Sequence, residues 1–185
     1  MSLTSGSTTP TTPRSVTLSF GSRSISFSRG RDKNVAELPK GPLGLTTLYV
    51  PDPENTPAPV ADIIFVHGLN GGSSSTWSKG NDPECYWPQK WLPTEEGFAD
   101  VRIHTFGYPA AVTRQSILSI PDFARSLLVA IHDSPSMSQG RQASLGQIRP
   151  SPPLIFVAHS MGGLVVKQAY LIARREAAFG PIADR

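Results

Sequence analysis

Residues 154–163, LIFVAHSMGG, join five apolar residues to a serine set between small ones, and a helical pattern follows at once. Leu154 to Ala158 reads as a short buried strand, and Met161 to about Ala178 reads as a helix closed by Gly180 and Pro181, with Arg174 and Arg175 near its negative end. Between them, Ala158, His159, Ser160, Met161 and Gly162, followed by Gly163, form the small-x-Ser-x-Gly pattern of a nucleophile elbow. Small residues are needed because the turn is so sharp that positions two before and two after the serine crowd the neighbouring strand and helix. The turn lifts the Ser160 hydroxyl clear of the sheet and sets it at a helix N-terminus, where partial positive charge favours a developing anion. Ala158 stands where glycine is more usual, which tightens the turn.

Alone, the pattern is weak, since a chain of this length matches it by chance roughly one time in ten. Its surroundings strengthen it. A strand over Asp62 to Val66 runs directly into His67, Gly68, Leu69, Asn70, Gly71 and Gly72, the sequence expected of an oxyanion loop. Acyl transfer needs two backbone N–H donors aimed at the tetrahedral oxyanion, and Leu69 and Met161 fit those roles. His67, Gly68, Gly71, His159, Gly162 and Gly163 are the supporting residues. The bland reading of both segments is a pair of tight turns with glycine chosen for its dihedrals.

Working outward, Leu45 to Val50 is a further expected strand, closed by Pro51, and Val101 to Tyr108 another. A helix starts at Ser119, which stands at capping-box spacing from Asp122, with Phe123, Leu127, Ala130 and Ile131 on one face. Alternating strands and helices predict an α/β fold, a mostly parallel sheet with flanking helices. Residues 134–153 (SPSMSQGRQASLGQIRPSPP) are expected as a disordered surface insertion, cheap because loop-closure entropy grows logarithmically.

Residues 1–40 differ from the rest. They are rich in Ser and Thr and carry six basic against two acidic side chains, leaving eleven basic and twelve acidic beyond them. The net charge of +3 is therefore a property of the tail, and nothing like a phosphate-tracking stripe runs through the globular part, so no nucleic-acid partner is expected. Val16, Leu18 and Phe20, then Ile25 and Phe27, alternate as a weak strand or hairpin about Gly21 rather than as the amphipathic helix of a transit peptide. Disorder and a targeting role both stay open. The domain division is then 1–40 as tail, 41–180 as an α/β domain and 181–185 as a stub. Cys85 is the only cysteine, with no histidine or lysine beside it to activate the thiol, and the default compartment is reducing and intracellular. No apolar run reaches the roughly 20 residues of a membrane span, and no cofactor or metal is implied.

The segments HGLNGG, TWSKG, YWPQKWLP, RIHTFGYPA and FVAHSMGGLVVKQAYLIA resemble the serine-esterase/lipase domain at the N-terminus of many fungal NOD-like receptor and ankyrin-repeat proteins. That domain is similar to the GPI-inositol-deacylase group and to the mitochondria-and-ER-associated serine-active-site proteins. The resemblance covers about Gly41 to Ala178. It implies an α/β-hydrolase fold, ester or lipid substrates, peripheral association with mitochondrial or ER membranes, Ser160 as nucleophile, and Leu69 and Met161 as oxyanion donors.

In that fold the acid and then the histidine follow the nucleophile in chain order. Here only Glu176 and Asp184 follow Ser160 among the acids, and no histidine does. Of the earlier histidines, His67 is expected to bind backbone within the loop, His104 to be buried in a strand, and His132 to lie at the far side of the sheet. His159 should point to the opposite side of the elbow. The domain is thus expected to be incomplete, its later strands and any downstream domains lying beyond residue 185. Two functions stay open: a serine ester hydrolase completed elsewhere, and a non-catalytic binding or regulatory module. Trp77, Trp87 and Trp91 are expected to pack on the sheet, with an acyl pocket or a lid as the sharper alternative. With later strands absent, Leu154 to Ala158 is expected to be an exposed apolar edge through which the chain self-associates.

Overall fold

The structure, a computed structural model, describes residues 40–56, 58–111, 118–138 and 151–185. The expected tail, except Lys40, lies outside the described residues, as does most of the 134–153 insertion.

Four strands form one sheet in the order β1-β3-β2-β4. They are β1 (Gly44–Tyr49), β2 (Ala61–Val66), β3 (Val101–Gly107) and β4 (Leu154–Ala158), each within a residue or so of its expected bounds. β3, β2 and β4 are mutually parallel, and β1 runs antiparallel to β3. Every residue of β2 and β3 is buried, because both sheet faces are covered. The chain is of the α/β class, a mixed sheet with flanking helices.

One face carries the larger core. Ile64, Val66 and Phe106 from the strands meet Phe123, Leu127, Leu128 and Ile131 of α2 (Ile120–His132) and Val165, Ala169 and Ile172 of α4 (Met161–Ala173). The start of α2 is fixed as its sequence suggests: the Asp122 carboxylate accepts the Ser119 N–H at 2.7 Å and its O–H at 2.6 Å. On the other face Ile63, Phe65 and Ile103 pack against Trp77, Tyr86 and Trp87, carried by short 3₁₀ turns and the single-turn helix α1 (Trp87–Lys90).

Two expectations need correction. The insertion does not begin at residue 134, because Pro135–Ser138 form a helical turn, α3, whose Met137 is buried in the larger core. Burial of Met137 and the hydrogen bonds that Ser136 makes with Arg102 and Thr47 hold that turn. The long C-terminal helix stops at Ala173 rather than near Ala178, and Gly180 and Pro181 open a new helix, α5 (Gly180–Ala183), instead of ending the old one. Proline in a first turn starts helices as readily as it ends them, since its missing N–H has no intrahelical partner there. The supposed stub 181–185 is consequently packed, with Ile182 buried in the same core.

Candidate active site

Parallel pairing of β2 with β4 sets Val66 opposite Ala158, so the segments that leave these two strands emerge side by side. One is the loop from His67; the other is the turn at Ser160. Ser160 has φ 53° and ψ −123°, a conformation that L-residues adopt at a cost of about 1–3 kcal/mol and that persists only where surroundings enforce it. Here they do. The turn passes so close to β2 that a Cβ on Gly162 would be driven into the carbonyl oxygens of Val66 and His67. A Cβ on Gly68 would come within 2.8 Å of both His159 O and Ser160 Cβ. The two segments are interlocked through two glycines, and Ser160 is exposed at their junction. Gly163 has no such constraint, since a Cβ there would meet nothing within 4 Å.

The loop is held from inside. Gly71 N–H donates to Gly68 O at 3.0 Å, Gly72 N–H to Thr76 Oγ1 at 3.1 Å, and Asn70, at φ 57°, donates its N–H to Ala110 O at 2.8 Å. His67 is buried and stacks on Tyr108, ring centroids 4.3 Å apart. Its Nε2 accepts the Tyr108 N–H at 3.1 Å, and its Nδ1 lies 3.0 Å from Gly68 O. Burial lowers the His67 pKa, so the neutral ring is the favoured form. Among the described residues no hydrogen bond uses the amide of Leu69 or of Met161. Met161 is the first residue of α4, where helical geometry leaves the amide without an intrahelical partner.

None of the other expected or rejected partners joins Ser160 as an acid or base. His104 is buried in β3, its Nε2–H donating to Asp62 at 3.2 Å and its Nδ1 3.1 Å from Thr47 Oγ1. His132 is exposed beside Asp133 at the end of α2. His159 is exposed, its backbone N–H donates to Val66 O at 3.0 Å, and its Nδ1 would lie 3.0 Å from a Cβ on Gly68, so the ring sits beside the loop after β2 rather than on the opposite side of the elbow. Glu176 pairs with Arg125 and Asp184 with Arg174, both on the surface. Trp77 and Trp87 stand edge-on to Phe65 of β2 at 5.1 and 5.0 Å, a packing role, whereas Trp91 is half exposed. Partial desolvation and then the neighbouring Asp82 carboxylate push the Cys85 thiol up, which disfavours the thiolate.

Two features escaped the sequence reading. Tyr108 presents its ring, its amide and its hydroxyl to His67, the O–H donating to His67 O at 2.7 Å. At the opposite end of the sheet, Asp62 is fully buried and accepts from Arg102 Nε (2.6 Å) and Nη2 (2.8 Å), His104 Nε2 (3.2 Å) and Arg185 Nη2 (2.5 Å). Its signal in the sequence was an acid, Asp62, in the otherwise apolar β2 and the basic pair Arg102 and His104 in β3. Among the described residues no group of three or more His, Cys, Asp or Glu is arranged to hold a metal ion, and no helix is long and apolar enough to cross a membrane.

No profile of a known protein family matches the chain, and no solved structure does. Among curated proteins it is similar to Protein SERAC1 of Mus musculus, 29% identical over 145 residues that cover 70% of this chain and 21% of that protein. The same protein of Danio rerio is 29% identical over 147 residues, with the same coverage, and that of Homo sapiens 28% over 142 residues, covering 68% of this chain and 20% of that protein. The chain spans about one fifth of the length of the curated relatives it matches.

Proposed function

We propose that this chain carries the nucleophile of a serine ester hydrolase of the α/β-hydrolase fold. The observation that carries the reading is the Ser160 backbone, a non-glycine residue held at φ 53° between a parallel strand and a helix N-terminus. The strand order, with β1 antiparallel at one edge and β2 ending in a glycine-rich loop against the serine, supports the same fold. In the reaction Ser160 Oγ attacks the carbonyl of an acyl ester and gives its proton to a general base. The oxyanion is met by the unused amides of Leu69 and Met161. Collapse of the intermediate expels the alcohol, protonated by the same base, and water then releases the acid and restores Ser160. The base and its supporting acid are supplied outside the described residues. Membrane-surface esters are the substrate class that the resemblance to the mitochondria-and-ER-associated serine-active-site proteins favours.

A second reading has its own support. His67 and His104 are engaged with backbone and with Asp62, and Glu176 and Asp184 are engaged with arginines, which suits a module that keeps the shape for binding without turnover. A fluorophosphonate probe separates the two. The protein expressed from its full coding sequence should be labelled on the Ser160 peptide, and Ser160→Ala should abolish labelling. Labelling that survives the substitution moves the nucleophile elsewhere, and a wild-type protein that never labels leaves the binding module. Residues 1–185 expressed alone should show at most the residual of about 10³ to 10⁴ over water that oxyanion donors and binding provide without triad partners.

A further inference from the structure

We propose that His67 and Tyr108 are positioning residues that set the direction of the Leu69 amide. The claim rests on the reading of Ser160 as nucleophile for its catalytic meaning, but its geometry stands apart from that reading. The decisive unit is the peptide between Gly68 and Leu69. Its carbonyl accepts the Gly71 N–H at 3.0 Å and lies 3.0 Å from His67 Nδ1. Because Nε2 of the same ring already accepts the Tyr108 N–H, its lone pair is in use there and the neutral ring's hydrogen sits on Nδ1, donating to Gly68 O. Two donors therefore hold that oxygen inside the loop.

A trans peptide points its C=O and the next N–H in opposite directions. Holding Gly68 O inward thus turns Leu69 N–H outward, from a peptide whose Gly68 Cα is packed against Ser160. Tyr108 keeps the imidazole in this tautomer and this place by three separate contacts. Its amide donates to Nε2, its ring stacks at 13° to the imidazole, and its hydroxyl donates to His67 O at 2.7 Å. Ala110 adds a fourth tie from the same segment, taking the Asn70 N–H at 2.8 Å. The segment after β3 thereby sets a donor on the loop after β2, a dependence that the chain order does not suggest.

The test uses isotope-labelled full chain and Tyr108→Phe, which removes one O–H donor but keeps the ring and the backbone. In wild type, nitrogen chemical shifts should show neutral His67 protonated on Nδ1. The Leu69 amide should exchange with solvent almost unprotected while the Asn70 and Gly71 amides are protected. A proton on Nε2, or a protected Leu69 amide, overturns the proposal whatever the enzyme does. In protein from the full coding sequence, Tyr108→Phe should label with fluorophosphonate about tenfold more slowly than wild type, and His67→Ala about a hundredfold more slowly, approaching the 10² to 10³ that loss of one oxyanion donor costs. Labelling at the wild-type rate in Tyr108→Phe also overturns it. If wild type does not label at all, the hydrolase reading fails, and the tautomer and exchange measurements alone decide the geometry.

Discussion

The two ends of the parallel strands β2, β3 and β4 are built on opposite principles. At their C-terminal ends the chain turns sharply, holds Ser160 in a backbone conformation that costs free energy, and leaves the amides of Leu69 and Met161 without partners among the described residues. At their N-terminal ends one buried carboxylate, Asp62, takes four charged or polar donors from β3 and from Arg185, close to all that its two oxygens can accept. Arg102 reaches on to Ser136 O of α3, and Arg185 Nε donates to Pro152 O at 2.8 Å. One end stores strain and unmet hydrogen-bonding capacity; the other is over-determined. The difference teaches that one sheet can be tied together by buried charge at one end while, at the other, close glycine packing alone enforces an unfavourable turn.

The most severe way to break that comparison is to empty the anchored end. Asp62→Ala leaves the Arg102 and Arg185 guanidiniums, both nearly buried, without their anion. Removing one partner of a buried pair costs about 3–5 kcal/mol, a large part of the stability of a domain this size. Urea or thermal unfolding should show the loss, and a change under 1 kcal/mol would refute the anchoring role. Acid should mimic the substitution. Burial raises the Asp62 pKa, but the hydrogen bonds and charges of His104 and Arg102 outweigh it and hold the carboxyl below its ordinary value. A depressed carboxylate contributes stability above its unfolded pKa of about 4 and loses it as pH falls through the lower, folded value. Wild type should therefore lose stability below about pH 4 along a limb that Asp62→Ala lacks.

A milder test addresses the strained end. Glycine reaches positive φ without the Cβ penalty, so Ser160→Gly should be more stable than Ser160→Ala by about 1 kcal/mol, the relief of strain less glycine's extra unfolded-state entropy. Differential scanning calorimetry should resolve the resulting 2–4 °C or so. If the glycine variant melts lower than the alanine variant, the positive φ at Ser160 stores no strain.

Much of this contrast could be read from the sequence, and unequally. The strained end is written in local signals: apolar run, small residue, Ser160, Gly162, then helix periodicity, with Gly68 after a second apolar run. β2 and β4 were equally plain, since Ile63, Ile64 and Phe65, and Ile155, Phe156 and Val157, are short apolar runs bounded by polar or glycine-rich turns. The anchored end was not legible, since Asp62, Arg102 and Arg185 are far apart in the chain and meet only through strand register and the return of the chain after α4. Tyr108 was missed for the same reason, as its partner His67 is 41 residues away. The ending of α4 was misread because glycine and proline punctuate helices at both ends, and only burial of Ile182 decides which.

The smallest effect on folding belongs to the strand that connects the two ends along the open side of the sheet. β4 is an edge among the described residues, with Ile155 47% exposed. Its N-terminal residue turns its amide away from β2, since Leu154 N–H donates to Arg185 O at 3.3 Å, whereas His159 N–H donates to Val66 O. Strand alternation then aims the polar backbone groups of Phe156 and Ala158 outward as well. No charge or proline lies between residues 154 and 158 to deter pairing, and beside the edge runs an apolar groove of about 420 Å³ lined by Leu154, Phe156, Val166, Tyr170 and Ile182. The expected occupant is a second copy, since two such edges pair antiparallel about a two-fold axis and satisfy each other's backbone. Ile155→Lys should change the stability of the monomer by no more than about 0.5 kcal/mol, as the side chain is half in water already. In the pair it brings two cations together on strands that carry no charge of their own between residues 154 and 158. Size-exclusion chromatography with light scattering over a range of concentrations should show wild type self-associating and Ile155→Lys shifted toward monomer at the same concentration. A wild-type chain that stays monomeric throughout, with a sharp cooperative melt, would mean that the β4 edge is already protected and that the open side is closed without a partner.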